Sequence, residues 1–239
     1  FPSCITRVMG SYPGKEKNLA ETFLSVCRKA GIDVRVLKDV NSSCCSQIYG
    51  SKGYADAYRH TAAEIIDRLW ESTDGGRRPV VIDVSSCAYT LHHLRPVLDE
   101  ARRKKFDGLK IFDSVDFLHD MVLPRVGAVH ATKRIVLHPV CSLEKMKTGD
   151  KFLAVARRFA REVTVPVQAG CCGMAGDRGF LLPELTASAT AAEAAEVRSQ
   201  AYDGYYSSTR TCEMAMSQAV QRDYESLLYL VDEGFKPDL

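Results

Sequence analysis

The sequence predicts an α/β protein in which parallel sheets are flanked by helices. Three observations carry that reading. Short apolar runs such as Pro79-Val80-Val81-Ile82-Asp83-Val84 alternate along the chain with amphipathic segments of helical length. Glycine and proline punctuate the alternation. The 239 residues are 46% hydrophobic and 26% charged, enough for one large domain or two of about 100–150 residues each.

Each element follows from a local pattern. Residues 16–28 place Leu19, Phe23, Leu24 and Cys27 on one helical face, and Gly31 stops the helix. A strand is expected at 34–37. A long helix at 54–70 turns Ala62, Ile65, Ile66 and Leu69 inward and ends at Asp74-Gly75-Gly76. The strand at 79–84 leads to a helix at 91–104. A strand at 109–112 precedes a helix through Leu118 and Met121 that stops before Pro124. The second half alternates likewise: strand 134–137, helix 151–161, strand 163–167 and an alanine-rich helix at 184–200.

Charge and hydropathy exclude several classes. With 32 basic and 30 acidic residues the net charge is +2 and no basic stripe stands out, so nucleic acid is not an expected partner. No apolar run approaches the ~18–20 residues of a membrane span, and no leader pattern argues for secretion. The chain opens on Phe1-Pro2, which reads as the tail of a strand and suggests a piece of a longer protein.

Eight of the nine cysteines form an internal repeat. Cys4, Cys44-Cys45 and Cys87 are separated by 39 and 41 residues; Cys141, Cys171-Cys172 and Cys212 by 29 and 39. Cys4 and Cys141 each stand two residues after a proline. Gly50-Ser51-Lys52-Gly53-Tyr54 matches Gly176-Asp177-Arg178-Gly179-Phe180 as glycine, polar, basic, glycine, aromatic. Two tandem repeats, 1–130 and 131–239, are expected to pack about a pseudo-twofold axis with their cysteine sites facing. Only Cys27, on an apolar helix face, lies outside the scheme, and it is expected in the core.

In an open parallel sheet the carboxyl ends of the strands share one edge, so four cysteines per half can converge there. The metal-ligand candidates are therefore Cys4, Cys44, Cys45 and Cys87 in one set and Cys141, Cys171, Cys172 and Cys212 in the other. Four thiolates hold an iron–sulfur cluster or a structural zinc. The spacing departs from the C-x₂-C pairs of zinc modules and ferredoxins, and adjacent cysteines suit a multi-iron cluster better than a single ion. A cysteine nucleophile would need a histidine base, and the sequence assigns none.

The run Ala169-Gly170-Cys171-Cys172-Gly173-Met174-Ala175-Gly176-Asp177-Arg178-Gly179-Phe180 resembles the CCG signature of cysteine-rich domains. Such domains occur in heterodisulfide reductases, in the iron–sulfur component of glycolate oxidases and in anaerobic glycerol-3-phosphate dehydrogenases. With Leu137-His138-Pro139-Val140-Cys141-Ser142, Pro183-Glu184-Leu185-Thr186-Ala187-Ser188-Ala189-Thr190 and Ser207-Ser208-Thr209-Arg210-Thr211-Cys212-Glu213-Met214-Ala215, the chain most resembles the C-terminal region of bacterial FAD- and iron–sulfur-containing D-lactate dehydrogenases.

The resemblance implies a [4Fe–4S] cluster here, with FAD in an upstream flavin domain and a ferredoxin-like domain, both outside this chain. Electrons from a D-2-hydroxy acid would pass to a quinone or cytochrome acceptor. The setting would be cytoplasmic, peripheral to the inner face of the membrane, and the piece alone would not be catalytic. Gly173, Gly176 and Arg178 would line the cofactor. The alternative is a zinc-bound or metal-free docking domain of the same oxidoreductase.

Two departures from the family pattern matter. Val84 and Thr209 stand where a fifth cysteine would precede Cys87 and Cys212, and Ser46 stands where Gly173 stands in the second motif. Other notable residues carry plainer readings. His138 is expected as a hydrogen-bonded structural histidine. Asp177 is expected to cap the following turn, and Lys52 and Arg178 to be solvated or to pair with another domain. Arg102-Arg103-Lys104-Lys105 is expected to be a solvated helix end, and His92-His93 lack ligand spacing.

Overall fold

The computed structural model describes residues 1–236. Its first half opens with an extended stretch beside a strand: the Phe1 ammonium donates to the Val81 carbonyl at 2.8 Å, and Ser3 N–H to Asp83 Oδ1 at 2.9 Å. Helix α1 (Cys4–Met9) follows, capped by Ser3. Helix α2 (Leu19–Lys29) opens with an Asn18–Glu21 capping box and buries Leu19, Val26 and Cys27. Next come α3 (Gln47–Ser51), α4 (Ala55–Ser72), β1 (Val80–Ile82), α5 (Ser85–His92), α6 (Glu100–Gly108), β2 (Ile111–Asp113) and α7 (Ser114–Phe117). The second half runs β3 (Arg134–Leu137), α8 (Cys141–Met146), α9 (Gly149–Phe159), β4 (Glu162–Thr164), α10 (Arg178–Leu181), α11 (Pro183–Arg198), β5 (Gly204–Ser207), α12 (Arg210–Val220), β6 (Tyr224–Ser226) and α13 (Leu227–Gly234).

The expected α/β class is observed. β1 and β2 pair in parallel, and β4-β3-β5-β6 form a second, wholly parallel sheet. Parallel strands need helical crossovers, which cover both faces of the sheet; accordingly Ile135, Val136 and Leu137 of β3 are fully buried. One core draws on both sides of position 130, joining Val26 and Leu118 to Ile135, Val155 and Leu230. A second lies under α4 and α5 and includes Cys45 and Cys87. Cys27 is buried in the first, as expected.

The structure departs from two of the expected elements most clearly. Residues 34–37 are extended but pair with no strand among the described residues, and Val36 is half exposed. The expected helix at 91–104 is two helices. Pro96 lacks the N–H that a continuous helix needs, and Asp99 starts α6 afresh by accepting from Arg102 N–H at 2.9 Å. The basic run therefore lies inside α6 rather than at a helix end. Arg102 and Lys105 pair with Asp67 of α4 at 2.8 and 2.6 Å.

Asp113 gives this fold a measurable pH response. It is fully buried between β2 and α7, where Oδ1 accepts from Val115 N–H at 2.7 Å and Oδ2 has no partner. Burial drives its carboxyl up to about 7, outweighing the hydrogen bonds from Val115 and Ser85. A folded-state value above the unfolded one means this contribution to stability is complete below pH 3.8 and fades as pH rises to 7. The full change is roughly 4 kcal/mol. Asp113→Asn should therefore be more stable than the parent at pH 8 in urea unfolding, with the gap closing towards pH 4. A variant less stable than the parent at pH 8 would refute the burial argument.

Candidate metal centre

The second cysteine set is built from four elements. β3 is followed by His138-Pro139-Val140, and its pairing continues through His138 N–H, which donates to the Tyr206 carbonyl of β5 at 2.9 Å. Cys141 then opens α8, and Cys212 sits in the first turn of α12. Cys171 and Cys172 lie in the loop between β4 and α10. That loop is tied to α11: Glu196 accepts from Val167 and Gln168 N–H, both at 2.8 Å, and Glu193 accepts from Gly170 N–H at 3.4 Å. Cys172 Sγ and Cys212 Sγ approach to 2.7 Å, and the Cys141, Cys171 and Cys172 thiols lie close enough to perturb one another.

The first set repeats this path. The Cys4, Cys44 and Cys45 thiols lie close enough to perturb one another, and Cys45 Sγ lies 3.0 Å from Cys87 Sγ. Burial runs in parallel: Cys45, Cys87, Cys172 and Cys212 are buried, whereas Cys4, Cys141 and Cys171 are exposed and Cys44 is intermediate. The structure thus groups all eight predicted cysteines into two sets of four. Val84 and Thr209 occupy the same place in both, immediately before α5 and α12.

The Ser46 departure leaves the backbone unchanged. Ser46 has φ 74° and Gly173 φ 76°, and each N–H donates to the first sulfur of its pair, Cys44 at 3.4 Å and Cys171 at 3.5 Å. What differs is the space around them. A Cβ at Gly173 would meet the Leu185 carbonyl oxygen at 2.5 Å, so only glycine fits there.

Other predicted residues sit differently from expectation. Asp177 makes no cap hydrogen bond; its carboxylate takes Lys52 Nζ of the other half at 2.6 Å. Arg178 donates to the Ser51 carbonyl at 3.1 Å. The two glycine-rich motifs therefore touch reciprocally, basic residue to the position before it, as a twofold relation produces. Gly176 has φ 82° and lies near Gln47, again across the two halves.

His138 is where the sequence said least. As expected it is buried and hydrogen-bonded, with Nδ1 2.8 Å from Glu193 Oε1. Its Nε2 has no nitrogen or oxygen partner. One ring nitrogen lies within 4.8 Å of the Cys172 and Cys212 sulfurs, so these three residues can hold a metal ion. The His-Pro dipeptide before Cys141 was the sequence signal; the partner Glu193, 55 residues on, gave none.

Within the second set the thiols move in opposite directions: Cys141 and Cys172 are pushed up by their sulfur neighbours and by burial. Cys171 is held well below the ordinary thiol value because Cys141 and Cys172 both donate to it, with Gly173 N–H adding to them. Cys212 falls to about 6 through the bond from Cys172, helped by His138 and opposed by burial. Burial would lower His138, but Cys212 and Glu193 raise it to about 9. In the first set, Cys4 is raised by its bond to Cys44 and by burial. Cys44 and Cys45 are also raised: each receives a bond from the preceding sulfur, but its bond to the next one and burial outweigh that. Three residues before Cys4 stands Phe1 rather than a histidine.

A carboxylate behind a ligand histidine fixes its tautomer and strengthens it as a donor. Glu193→Gln should weaken cobalt(II) binding at the second set by about tenfold, read by titration of the thiolate-to-metal absorbance. An unchanged affinity would show that Glu193 serves the fold alone.

Comparison with known proteins agrees with this architecture. Residues 1–92, which hold the first cysteine set, match the family model of a cysteine-rich domain, CCG, so the resemblance seen in the sequence is borne out. The sequence motif was clearest in the second half, yet the match falls on the first. The chain is also similar to lactate utilization protein A 1 of Bacillus mycoides (strain KBAB4), at 23% identity over 194 residues, 78% of this chain and 74% of the relative.

Proposed function

We propose that this chain is an iron–sulfur electron-transfer component of lactate (2-hydroxy acid) oxidation. The observation that carries the reading is the convergence of eight cysteines into two sets with the same sulfur-to-sulfur path. The donors fit such a group: four sulfurs gathered at one sheet edge and, in the second set, a buried imidazole nitrogen with no nitrogen or oxygen partner. Cys141, Cys171, Cys172 and Cys212 would hold one cluster and Cys4, Cys44, Cys45 and Cys87 another, of [4Fe–4S] type. A cluster bound there would supply one-electron storage at a potential set by charge, hydrogen bonds and burial.

The chain's own groups define how such a site works. Cys172 and Cys212 are buried, and the His138–Glu193 pair fixes the imidazole beside them. Gly173 N–H donates to the Cys171 sulfur. Cys141 and Cys171 face solvent, so electrons would enter and leave by that edge. Exposed Val167, Phe180 and Leu181 near Cys171 offer a surface for a partner. We assign to that partner role a flavin domain carrying FAD and a ferredoxin-like domain, with a quinone or cytochrome as acceptor. Oxidation of the hydroxy acid would take place at the flavin, not in this chain. Among the described residues no helix is long and apolar enough to cross a membrane.

An EPR-monitored redox titration of the full chain, reconstituted without oxygen, tests the reading. A reversible one-electron signal is expected. A protein that holds stoichiometric zinc and shows no such signal would instead be a docking domain.

A further inference from the structure

We infer that the groove between α2, residues 34–37 and β1 seats one further β-strand, apolar and parallel to β1, that leads directly into Phe1. The two halves correspond residue by residue around this groove. His138 N–H donates to the Tyr206 carbonyl at 2.9 Å, and the Phe1 nitrogen donates to the Val81 carbonyl at 2.8 Å. Cys141 and Cys4 each stand three residues after the donor, and Cys212 and Cys87 six residues after the acceptor. β5 pairs with β6 in parallel, as β1 pairs with β2. β6 and β2 also end alike: Ser226 accepts from Leu228 N–H and Asp113 from Val115 N–H, each two residues on. On the far side, α9 and α2 both have 11 residues. Each leads into extended chain, β4 in one half and residues 34–37 in the other.

The second half holds β3 between β4 and β5, with Leu137 in register with Tyr206. The matching place in the first half is the groove. Its walls include Phe23 and Leu24 of α2, Val34 and Val36, and Val81 of β1. The charged groups that line it are Arg35 and Asp83, and Asp83 already accepts from Ser3 N–H at 2.9 Å. Such walls suit an aliphatic strand, as β3 is, buried on both faces. The backbone is also ready to pair. Among the described residues, no backbone N–H or carbonyl of residues 34–37 makes a hydrogen bond, although Leu37 is buried. Backbone groups in such a setting normally find partners. A strand between residues 34–37 and β1 supplies them, covers the half-exposed Val36, and gives the first half the strand order of β4-β3-β5-β6.

Charge selects the occupant. The Phe1 ammonium is buried, and burial holds it below its ordinary value against the opposing pull of Asp83. A peptide N–H at the same place donates the same bond to Val81 with no charge to desolvate. The strand is therefore polypeptide that runs into Phe1, not the edge of a second copy. The inference stands apart from the iron–sulfur reading, because it uses no sulfur ligand as evidence of metal. It does give the first cysteine set a firmer base: Cys4 follows the strand by three residues, as Cys141 follows His138.

Fusing Lys-Arg-Ile-Val-Leu, the sequence of residues 133–137, directly before Phe1 of the full chain tests it. Amide hydrogen exchange at residues 34–37 should slow by about tenfold or more relative to the parent chain, and the urea midpoint should rise. A Gly-Ser extension of the same length should leave both unchanged. One glycine inserted between the added leucine and Phe1 shifts the register and turns every added side chain to the other face, so the protection should vanish. Unchanged exchange in the fusion, or equal protection from the Gly-Ser extension, would overturn the inference. Exchange in the parent chain that slows as protein concentration rises would overturn it too, by showing that a second copy fills the groove.

Discussion

Replacing Cys171 and Cys172 together by serine is expected to strip the second cysteine set of its metal while the α/β fold persists. The two thiols are central in the sulfur path, between Cys141 on one side and Cys212 on the other. Serine is a poor ligand for soft metals, so two of the four donors would be lost at once. About four irons per chain should disappear. The fold should survive because Cys171 is exposed and Cys172 is one small member of a large apolar core that also draws on β3, α9 and α13. The matching change, Cys44→Ser with Cys45→Ser, should remove the iron of the first set independently. Iron analysis with far-ultraviolet circular dichroism checks both. Retention of all iron in the Cys171/Cys172 variant would show that the second set does not bind it.

Gly173→Ala is expected to be the most damaging single methyl addition in the site. The residue has φ 76°, and the new Cβ would stand 2.5 Å from the Leu185 carbonyl oxygen and 2.9 Å from the Ala189 methyl. Left-handed backbone strain and overpacking each cost about 1–3 kcal/mol, so a loss of about 3–5 kcal/mol in urea unfolding is expected. The contrast is Ser46→Gly. Ser46 already carries a side chain at φ 74°, and relief of strain is offset by the greater freedom of the unfolded chain. That change should stay within about 1 kcal/mol of the parent. If Gly173→Ala cost as little as Ser46→Gly, the contacts drawn around α11 would be wrong.

How much could be read from the sequence depends on how local the cause was. The cysteine pairs, their spacing and the glycine-flanked motifs were legible because each is a short pattern. The long helices were legible because burial imposes their period, as in Ala62, Ile65, Ile66 and Leu69. β3 was legible because a strand buried on both faces is an unbroken apolar run. The split at Pro96 is harder to read, because the hydrophobic pattern around it continues at helical spacing. Strands β5 and β6 escaped notice because Gly204-Tyr205-Tyr206-Ser207 and Tyr224-Glu225-Ser226 carry no aliphatic run.

The features that required the fold are the long-range ones. Lys52 meets Asp177 across 125 residues, and His138 meets Glu193 across 55. Tyr12 donates to the buried Glu213, whose carboxyl burial raises to about 8, across 201 residues. No spacing rule links such partners. Two of them, Lys52–Asp177 and Tyr12–Glu213, also join the two halves of the chain, so the cysteines are more legible in the sequence than their surroundings.

The central claim is that the two cysteine sets hold iron–sulfur clusters. Iron, acid-labile sulfide and zinc should be quantified on the full chain purified and reconstituted without oxygen. With both sets loaded, about eight irons and eight sulfides per chain are expected, and about four of each if only the His138-bearing set is loaded. Stoichiometric zinc without sulfide, or no metal at all with the fold intact, would contradict it.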